Sequence, residues 1–351
     1  MKRNKVLLIY TGGTIGMWSD PRTGVLRPMD LATLEMQVPE LERMDVELGT
    51  LSFERPMDSS DMGPRHWVRL ASMVGENYQA YDGFVVLHGS DTMAFTASAL
   101  SFLLEGLNKP VIFTGSQLPV GMIRTDAREN LVTAIEIAAA KGEDGRPLVP
   151  EVAIYFEYRL MRGNRTIKVN AERFEAFRSP NWPALAEAGI HLRYDRSAIL
   201  PYRETGLKVH DCMDDRVALI HFHPGMRAHW VRKLLELEDL RAMVLATFGS
   251  GNGPTDPAIL DVFREAISRG IILLNVTQCA GGRVEQGRYV TSKAFLEMGV
   301  VGGADMTIEA AMTKLMFLLA QGAGPMAAPA GGTEAVIRAL AAPICGEFTL
   351  I

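Results

Sequence analysis

An α/β fold with a mainly parallel sheet, divided into a larger N-terminal and a smaller C-terminal α/β domain, is predicted by three observations. Short runs rich in valine, isoleucine and leucine recur along the chain, and amphipathic stretches with three- and four-residue apolar spacing alternate with them. Between Arg193 and Asp215 both patterns fade into RYDRSAILPYRETGLKVHDCMDD, where proline, glycine and charges take over. Strand–helix alternation is the signature of a parallel sheet covered by helices, and loss of periodicity marks a linker.

In chain order, the buried strands are expected at Lys5–Tyr10, Gly83–Leu87, Pro110–Phe113, Glu151–Phe156, Val217–His221, Ala242–Ala246 and Ile271–Asn275. The helical patterns fall at His66–Tyr81, Ala94–Leu104, Ala127–Ala140, Ala228–Leu237, Pro257–Ser268 and Ile308–Leu319. Asp126 with Glu129 has capping-box spacing, and Thr255-Asp256-Pro257 places a capping side chain before a first-turn proline. Gly270 suits a left-handed helix end. The resulting division is 1–192, a linker over 193–215, and 216–351, with no internal repeat.

Composition narrows the function classes. With 351 residues, 48% hydrophobic and 22% charged, the chain has ample core for a globular protein. A net charge of −5 with dispersed Lys and Arg leaves no basic footprint for nucleic acid. The apolar stretch Val6–Ile9 is too short for a secretory leader, and no run reaches membrane-span length, so a cytoplasmic location away from membranes is expected. Cys212, Cys279 and Cys345 lack C-x-x-C spacing and read as buried free thiols. His221 and His223 share a strand face without a completing ligand set, so no metal is expected.

Four stretches carry candidate chemistry. In TGGTIG, the first strand runs into Gly12-Gly13 and then Thr14; the spacing meets neither the phosphate-loop nor the dinucleotide pattern. Thr14 is either a turn residue satisfying local backbone or a hydroxyl held out to react. The polar segment from Met17 to Gly24 has the character of a lid beside a strand end. GFVVLHGSDTM repeats the pattern with Ser90, Asp91 and Thr92, where Asp91 could equally cap the following helix. In parallel sheets ligands bind at the carboxyl ends of strands, so two strands delivering hydroxyls to one edge form a candidate site. Lys168 in RGNRTIK is either solvated or part of that site, and PMDSSDM offers Asp58, Ser59 and Ser60 to a polar ligand.

Together LLIYTGGTIG, DSSDM, GFVVLHGSDTM, FTGSQLP and RGNRTIK resemble the motifs of the bacterial-type L-asparaginases, most closely the cytoplasmic type I branch. The resemblance extends through FGSGNGP, NVTQC and GGADMTIEAAMTKL, and so covers nearly the whole chain. It implies a flavodoxin-like N-terminal domain and hydrolysis of L-asparagine to L-aspartate and ammonia without metal or cofactor. It also implies a homodimer or homotetramer with sites at subunit junctions. By resemblance Thr14 is the nucleophile, Ser90, Asp91 and Lys168 activate it, and Asp58, Ser59 and Ser60 bind substrate. Asn252 corresponds to an asparagine that reaches a neighbour's site.

Other members read H-G-T-D-T where this chain has His88-Gly89-Ser90-Asp91-Thr92; serine keeps the hydroxyl but loses the methyl group that stiffens χ1. Val25 stands where many members carry a lid tyrosine, with Tyr289 as an alternative phenol or a structural residue. Ala246 and Ile167 replace an arginine and a threonine associated with an activating pocket, although Cys279 fits it; the same allosteric control is not expected. A glutaminase-leaning or other amidohydrolase and a non-catalytic amino-acid-binding protein are the alternatives. A tRNA-dependent amidotransferase subunit is disfavoured, because the chain begins almost directly on its first strand.

Overall fold

The computed structural model describes residues 3–19, 26–28, 36–288, 290–321 and 332–350. The chain forms two compact units, Met1–Asp211 and Cys212–Ile351. The first is built on an eight-stranded sheet whose strands are, in chain order, β1 (Asn4–Gly12), β2 (Val46–Met57), β3 (Gly83–Leu87), β4 (Val111–Thr114), β5 (Val152–Phe156), β6 (Arg159–Arg162), β7 (Ala186–Glu187) and β8 (Arg193–Tyr194). They lie side by side in the order β8-β7-β6-β5-β4-β3-β1-β2. The strands from β2 to β5 in that row pair in parallel, and β6, β7 and β8 add antiparallel. The parallel part has the flavodoxin-like order 2-1-3-4-5, as the resemblance implied, with its reversal of direction between β1 and β3.

The expected strands are continuous apolar runs because both faces are covered. Val6–Tyr10, Phe84–Leu87, Val111–Phe113 and Val152–Phe156 are all buried. Each such Val, Leu or Phe contributes about 1.5–3 kcal/mol of burial. One long strand, β2, gave no such signal. It lies at the sheet edge, mostly exposed or half-buried, and its sequence VELGTLSFERPM is correspondingly polar.

Helices α1 (Pro64–Asn77), α2 (Met93–Leu103) and α3 (Ala127–Ala139) belong to this unit. The expected capping box at the start of α3 is not formed. Asp126 accepts instead from the backbone N–H groups of Gln117 and Leu118, Glu129 is occupied by Thr133 and Tyr155, and Thr125 Oγ1 caps Ala127 N at 3.0 Å. The stretch expected to link the domains contributes to the first unit: Arg193–Tyr194 is β8, and Lys208–Val209 pairs with Leu104–Glu105.

The second unit carries a four-stranded parallel sheet of β9 (Val217–His221), β10 (Ala242–Thr247), β11 (Ile272–Thr277) and β12 (Val301–Gly302). Its helices are α4 (Ala228–Leu234), α5 (Pro257–Ser268), α6 (Val290–Met298), α7 (Ile308–Ala320) and α8 (Gly332–Leu340). Here the terminal signals do act: Asp256 accepts from Ala258 N at 2.9 Å with Pro257 in the first turn, and Gly270 adopts φ 81° after α5. The thiols differ from expectation, since Cys279 is exposed and Cys212 and Cys345 are half-buried. Among the described residues no helix is long and apolar enough to cross a membrane. No cluster of three or more His, Cys, Asp or Glu is arranged to hold a metal among them either.

Candidate active site

The registers of the first sheet bring three loops to one edge. Tyr10 of β1 lies opposite Leu87 of β3, and Leu87 lies opposite Thr114 of β4, so TGGT, HGSD and GSQ all leave the sheet at the same level. That edge, at the reversal between β1 and β3, is where a parallel sheet opens a crevice.

Glycines press the loops together. Gly13, with φ 91°, has its Cα face against Gly89; a Cβ on Gly13 would lie 2.5 Å from Gly89 Cα. A Cβ on Gly89 would lie 2.6 Å from Ser59 Oγ. A register shift in β1 after Tyr10 also sets Gly12 opposite Met57, which leads into Asp58. Thr14 and Ser90 are each the residue following this glycine contact. Thr14 opens a single 3-10 turn, Thr14–Gly16, and is half-buried. Beneath it the buried Tyr10 hydroxyl donates to Gly16 O at 3.2 Å, and burial pushes that phenol up to about 12, so it stays protonated.

Lys168 reaches the same edge by a different route. Small residues along α2 let the turn at Gly163 pack close: a Cβ on Gly163 would lie 3.1 Å from Ala97 Cβ. Thr166 Oγ1 donates to Arg162 O at 2.7 Å, and Ile167–Lys168 then pairs with Phe177–Arg178. The Lys168 ammonium donates to Ser90 Oγ at 2.8 Å and to Asp91 Oδ1 at 2.6 Å. Lys168 is 17% exposed and Asp91 67%, so the pair adds little stability and is better read as a feature of the site.

The Ser90 hydroxyl faces Gln117 Oε1 at 3.3 Å, while Gln117 Nε2 donates to Arg173 O at 3.0 Å. Gln117 was not singled out from sequence; the signal available was its place in FTGSQLP, three residues beyond the end of β4. Asp58 is exposed and accepts from both the backbone and the hydroxyl of Ser60 at 2.8 Å, which holds its carboxyl below the usual range. Asp91 does not cap α2 through its side chain; Thr92 is the residue before that helix, and its hydroxyl donates to Ser59 O at 2.6 Å. Ser59 is buried and Ser60 exposed.

Thr14, Asp58, Ser59, Ser60, Ser90, Asp91 and Lys168 are thus all carried by the first unit. Asn252 belongs to the second, in a tight turn closed by Asn252 N donating to Phe248 O at 2.8 Å. Val25 and Tyr289 lie outside the described residues. Ala246 is buried within β10, and Ile167 is half-buried beside Lys168.

Fold and site define a two-unit α/β protein with hydroxyls, an ammonium and a carboxylate gathered at the switch point of a parallel sheet. The family description "Asparaginase, N-terminal" covers residues 5–200, and "Glutaminase/Asparaginase C-terminal domain" covers residues 216–328. The sequence is 42% identical to L-asparaginase 1 of Escherichia coli over 99% of both chains. It is 40% identical to the 60 kDa lysophospholipase of Mus musculus over 99% of this chain and 63% of that one. The crystal structure of L-asparaginase I from Vibrio cholerae superposes with a TM-score of 0.87 at 39% identity, over 99% of this chain and 100% of the other. The chain belongs to the asparaginase family.

Proposed function

We propose that the protein hydrolyses the side-chain amide of L-asparagine to L-aspartate and ammonia, with Thr14 as nucleophile. The observation that carries this reading is the Lys168 ammonium bonded to Ser90 and Asp91 at the strand edge, one residue beyond the Gly13–Gly89 contact. Full-length similarity to L-asparaginase 1 supplies the substrate class.

An amide is a poor electrophile, and a hydroxyl nucleophile divides its hydrolysis into two easier steps. Thr14 Oγ1 attacks the amide carbon, and its proton passes to Ser90 Oγ as Ser90 hands its own to Lys168. The C–N bond breaks with the proton returning to the leaving ammonia, leaving an ester on Thr14 that water then cleaves. Lys168 must be neutral to accept a proton, and a carboxylate partner favours its charged form. The substrate's α-ammonium supplies the release: bound to the exposed Asp91 carboxylate, it takes over the charge that holds Lys168, which then gives up one proton to solvent before Thr14 attacks. Asp58, Ser59 and Ser60 contribute acceptors and hydroxyls to the α-carboxylate and α-ammonium end. Backbone N–H groups at Thr14 and Ser90 stabilise the oxyanion, each worth about 3–4 kcal/mol where such donors have been measured.

No metal or cofactor enters this scheme. The protein acts in the cytoplasm as a homodimer or homotetramer, in which Asn252 completes the site of a neighbouring subunit. Ammonia release measured side by side on L-asparagine and L-glutamine tests the reading. Turnover is expected on asparagine with a clear preference over glutamine; equal or better use of glutamine, or aspartate binding without ammonia release, overturns it.

A further inference from the structure

We propose that Thr96 and His88 form a buried lock that aims the backbone N–H of Ser90 at the reacting carbonyl oxygen, with Thr96 a positioning residue acting through His88. The inference rests on the assignment of the Thr14–Ser90 edge as the reaction centre.

His88 directly follows β3 and is 0% exposed. Its Nδ1 lies 2.7 Å from Gly89 O. A carbonyl oxygen only accepts, so Nδ1 carries the proton. Burial lowers the pKa of the ring to about 4, so the imidazole is neutral and Nε2 has only a lone pair. Thr96 Oγ1, also 0% exposed, sits 2.9 Å from Nε2 and must therefore be the donor. Its alternative acceptor, Thr92 O, is more distant at 3.3 Å. In the other tautomer Nε2–H would donate to Thr96, whose own proton would turn to Thr92 O, but the Nδ1 lone pair would then face those of Gly89 O; only the Nδ1–H form satisfies both ends of the ring, with Thr96 completing it from below.

A neutral histidine bonded to a carbonyl matters here because of what that carbonyl's peptide does next. No peptide bond among the described residues is cis, and in a trans peptide the C=O and N–H point in opposite directions. Holding Gly89 O against the buried ring therefore turns the Ser90 N–H away from the core, towards the strand-end crevice. Among the described residues that N–H donates to no acceptor. Residue 89 cannot carry a side chain, since a Cβ would meet Ser59 Oγ and Cβ at 2.6 and 2.7 Å. Glycine is also the residue whose peptide rotates most freely. Close packing therefore removes the side chain that would restrain this peptide, and the Thr96–His88 pair restores the restraint from below.

The test compares Thr96→Val, which keeps the shape and removes the donor, with Thr96→Ser, which keeps the hydroxyl. In Thr96→Val, kcat on asparagine is expected to fall about 10- to 100-fold, towards the loss seen when an oxyanion donor is removed outright. KM and the dissociation constant for L-aspartate stay within about twofold, and Thr96→Ser recovers kcat to within about threefold. Ring ¹⁵N chemical shifts of His88 at neutral pH should report the Nδ1–H tautomer in wild type and Thr96→Ser, and in Thr96→Val an Nε2 resonance shifted by loss of its hydrogen-bond donor. A wild-type ring in the Nε2–H form overturns the lock even if the valine variant fails to fold. So does a valine variant with unchanged kcat, or a serine variant that does not recover. Failure of the underlying assignment reads differently: Thr14→Ala would then turn over at the wild-type rate, while the tautomer measurement still reports on the lock.

Discussion

Both units end parallel strands in glycine-rich turns lined with hydroxyl and amide side chains, yet they use them oppositely. In the second unit the polar groups are spent on the scaffold. Thr247 Oγ1 donates to Asn275 Oδ1 at 2.6 Å, Asn275 Nδ2 to Gly251 O at 3.1 Å, and Thr277 Oγ1 to Gly249 O at 2.6 Å. Gln278 Nε2 adds bonds to Phe222 O and Ala246 O at 2.7 Å. At the first unit's edge Ser90, Asp91 and Lys168 bond mainly to one another, and the backbone is held by glycine contacts and by the buried His88. On the proposed reading, the first edge is open to chemistry because its loops are fixed by something other than the side chains that would react. The same architecture with side chains turned inward makes a rigid turn.

The largest effect that would break this contrast comes from Thr14. Thr14→Ala removes one hydroxyl from a half-buried turn whose backbone is set by its neighbours, so the thermal midpoint should stay within about 2 °C. Turnover should fall on the order of 10⁴-fold or more, as when a nucleophile acting as part of a unit is lost. Ammonia release at the wild-type rate would remove Thr14 from the reaction. Next is Lys168→Met, expected to lower kcat about 10²- to 10³-fold while KM changes less than about fivefold. A rise in KM with kcat intact would make Lys168 a binder and shift activation to another group.

How far the sequence reached can be seen in these same residues. Gly83–Leu87 and Pro257–Ser268 were legible to the residue, because a strand buried on both faces and a helix with both ends signed leave unambiguous patterns; Val217–His221 has the expected bounds but, as an edge strand, buries only Ile220 and is not the buried strand its apolar run suggested. Strand β2 was invisible because an edge strand needs little apolar surface, and the signed capping box at Asp126 went unformed because loop N–H groups competed for its carboxylate. For the site, the side chains Thr14, Ser90, Asp91 and Lys168 were individually ambiguous; the strand-end rule joined Thr14 with Ser90 and Asp91, and resemblance to a family added Lys168 and the roles. What remained hidden was the support: Gln117 beside Ser90, and the buried His88–Thr96 pair, whose roles depend on contacts between loops and not on any spacing along the chain.

His88 also distinguishes the edges by pH. Its ring is neutral when folded down to about pH 4 and takes a proton at the ordinary 6.5 when unfolded. Between those values the unfolded chain binds the additional proton, so stability rises with pH across that window and is lost as pH falls through it. At about 1.4 kcal/mol per pH unit the full window amounts to roughly 3 kcal/mol. Chemical denaturation of wild type and His88→Asn from pH 4 to 7 should show the asparagine variant with the shallower slope. Parallel slopes would mean that the buried ring is protonated in the native protein.

The smallest expected effect lies in the second unit. Asn275→Ala leaves the buried Gly251 carbonyl without this donor and the Thr247 hydroxyl with only its longer bond to Val276 O at 3.2 Å, which should lower stability by about 2 kcal/mol. If the second edge is scaffold, kcat of the folded variant stays within about threefold of wild type, because nothing bonded to Asn275 takes part in bond making. A change confined to KM would still fit, since loosening Gly251 disturbs Asn252 next to it. A kcat loss of tenfold or more at unchanged stability would mean that both strand edges serve the chemistry, and that side chains bonded into a turn contribute to catalysis as directly as those left facing the crevice.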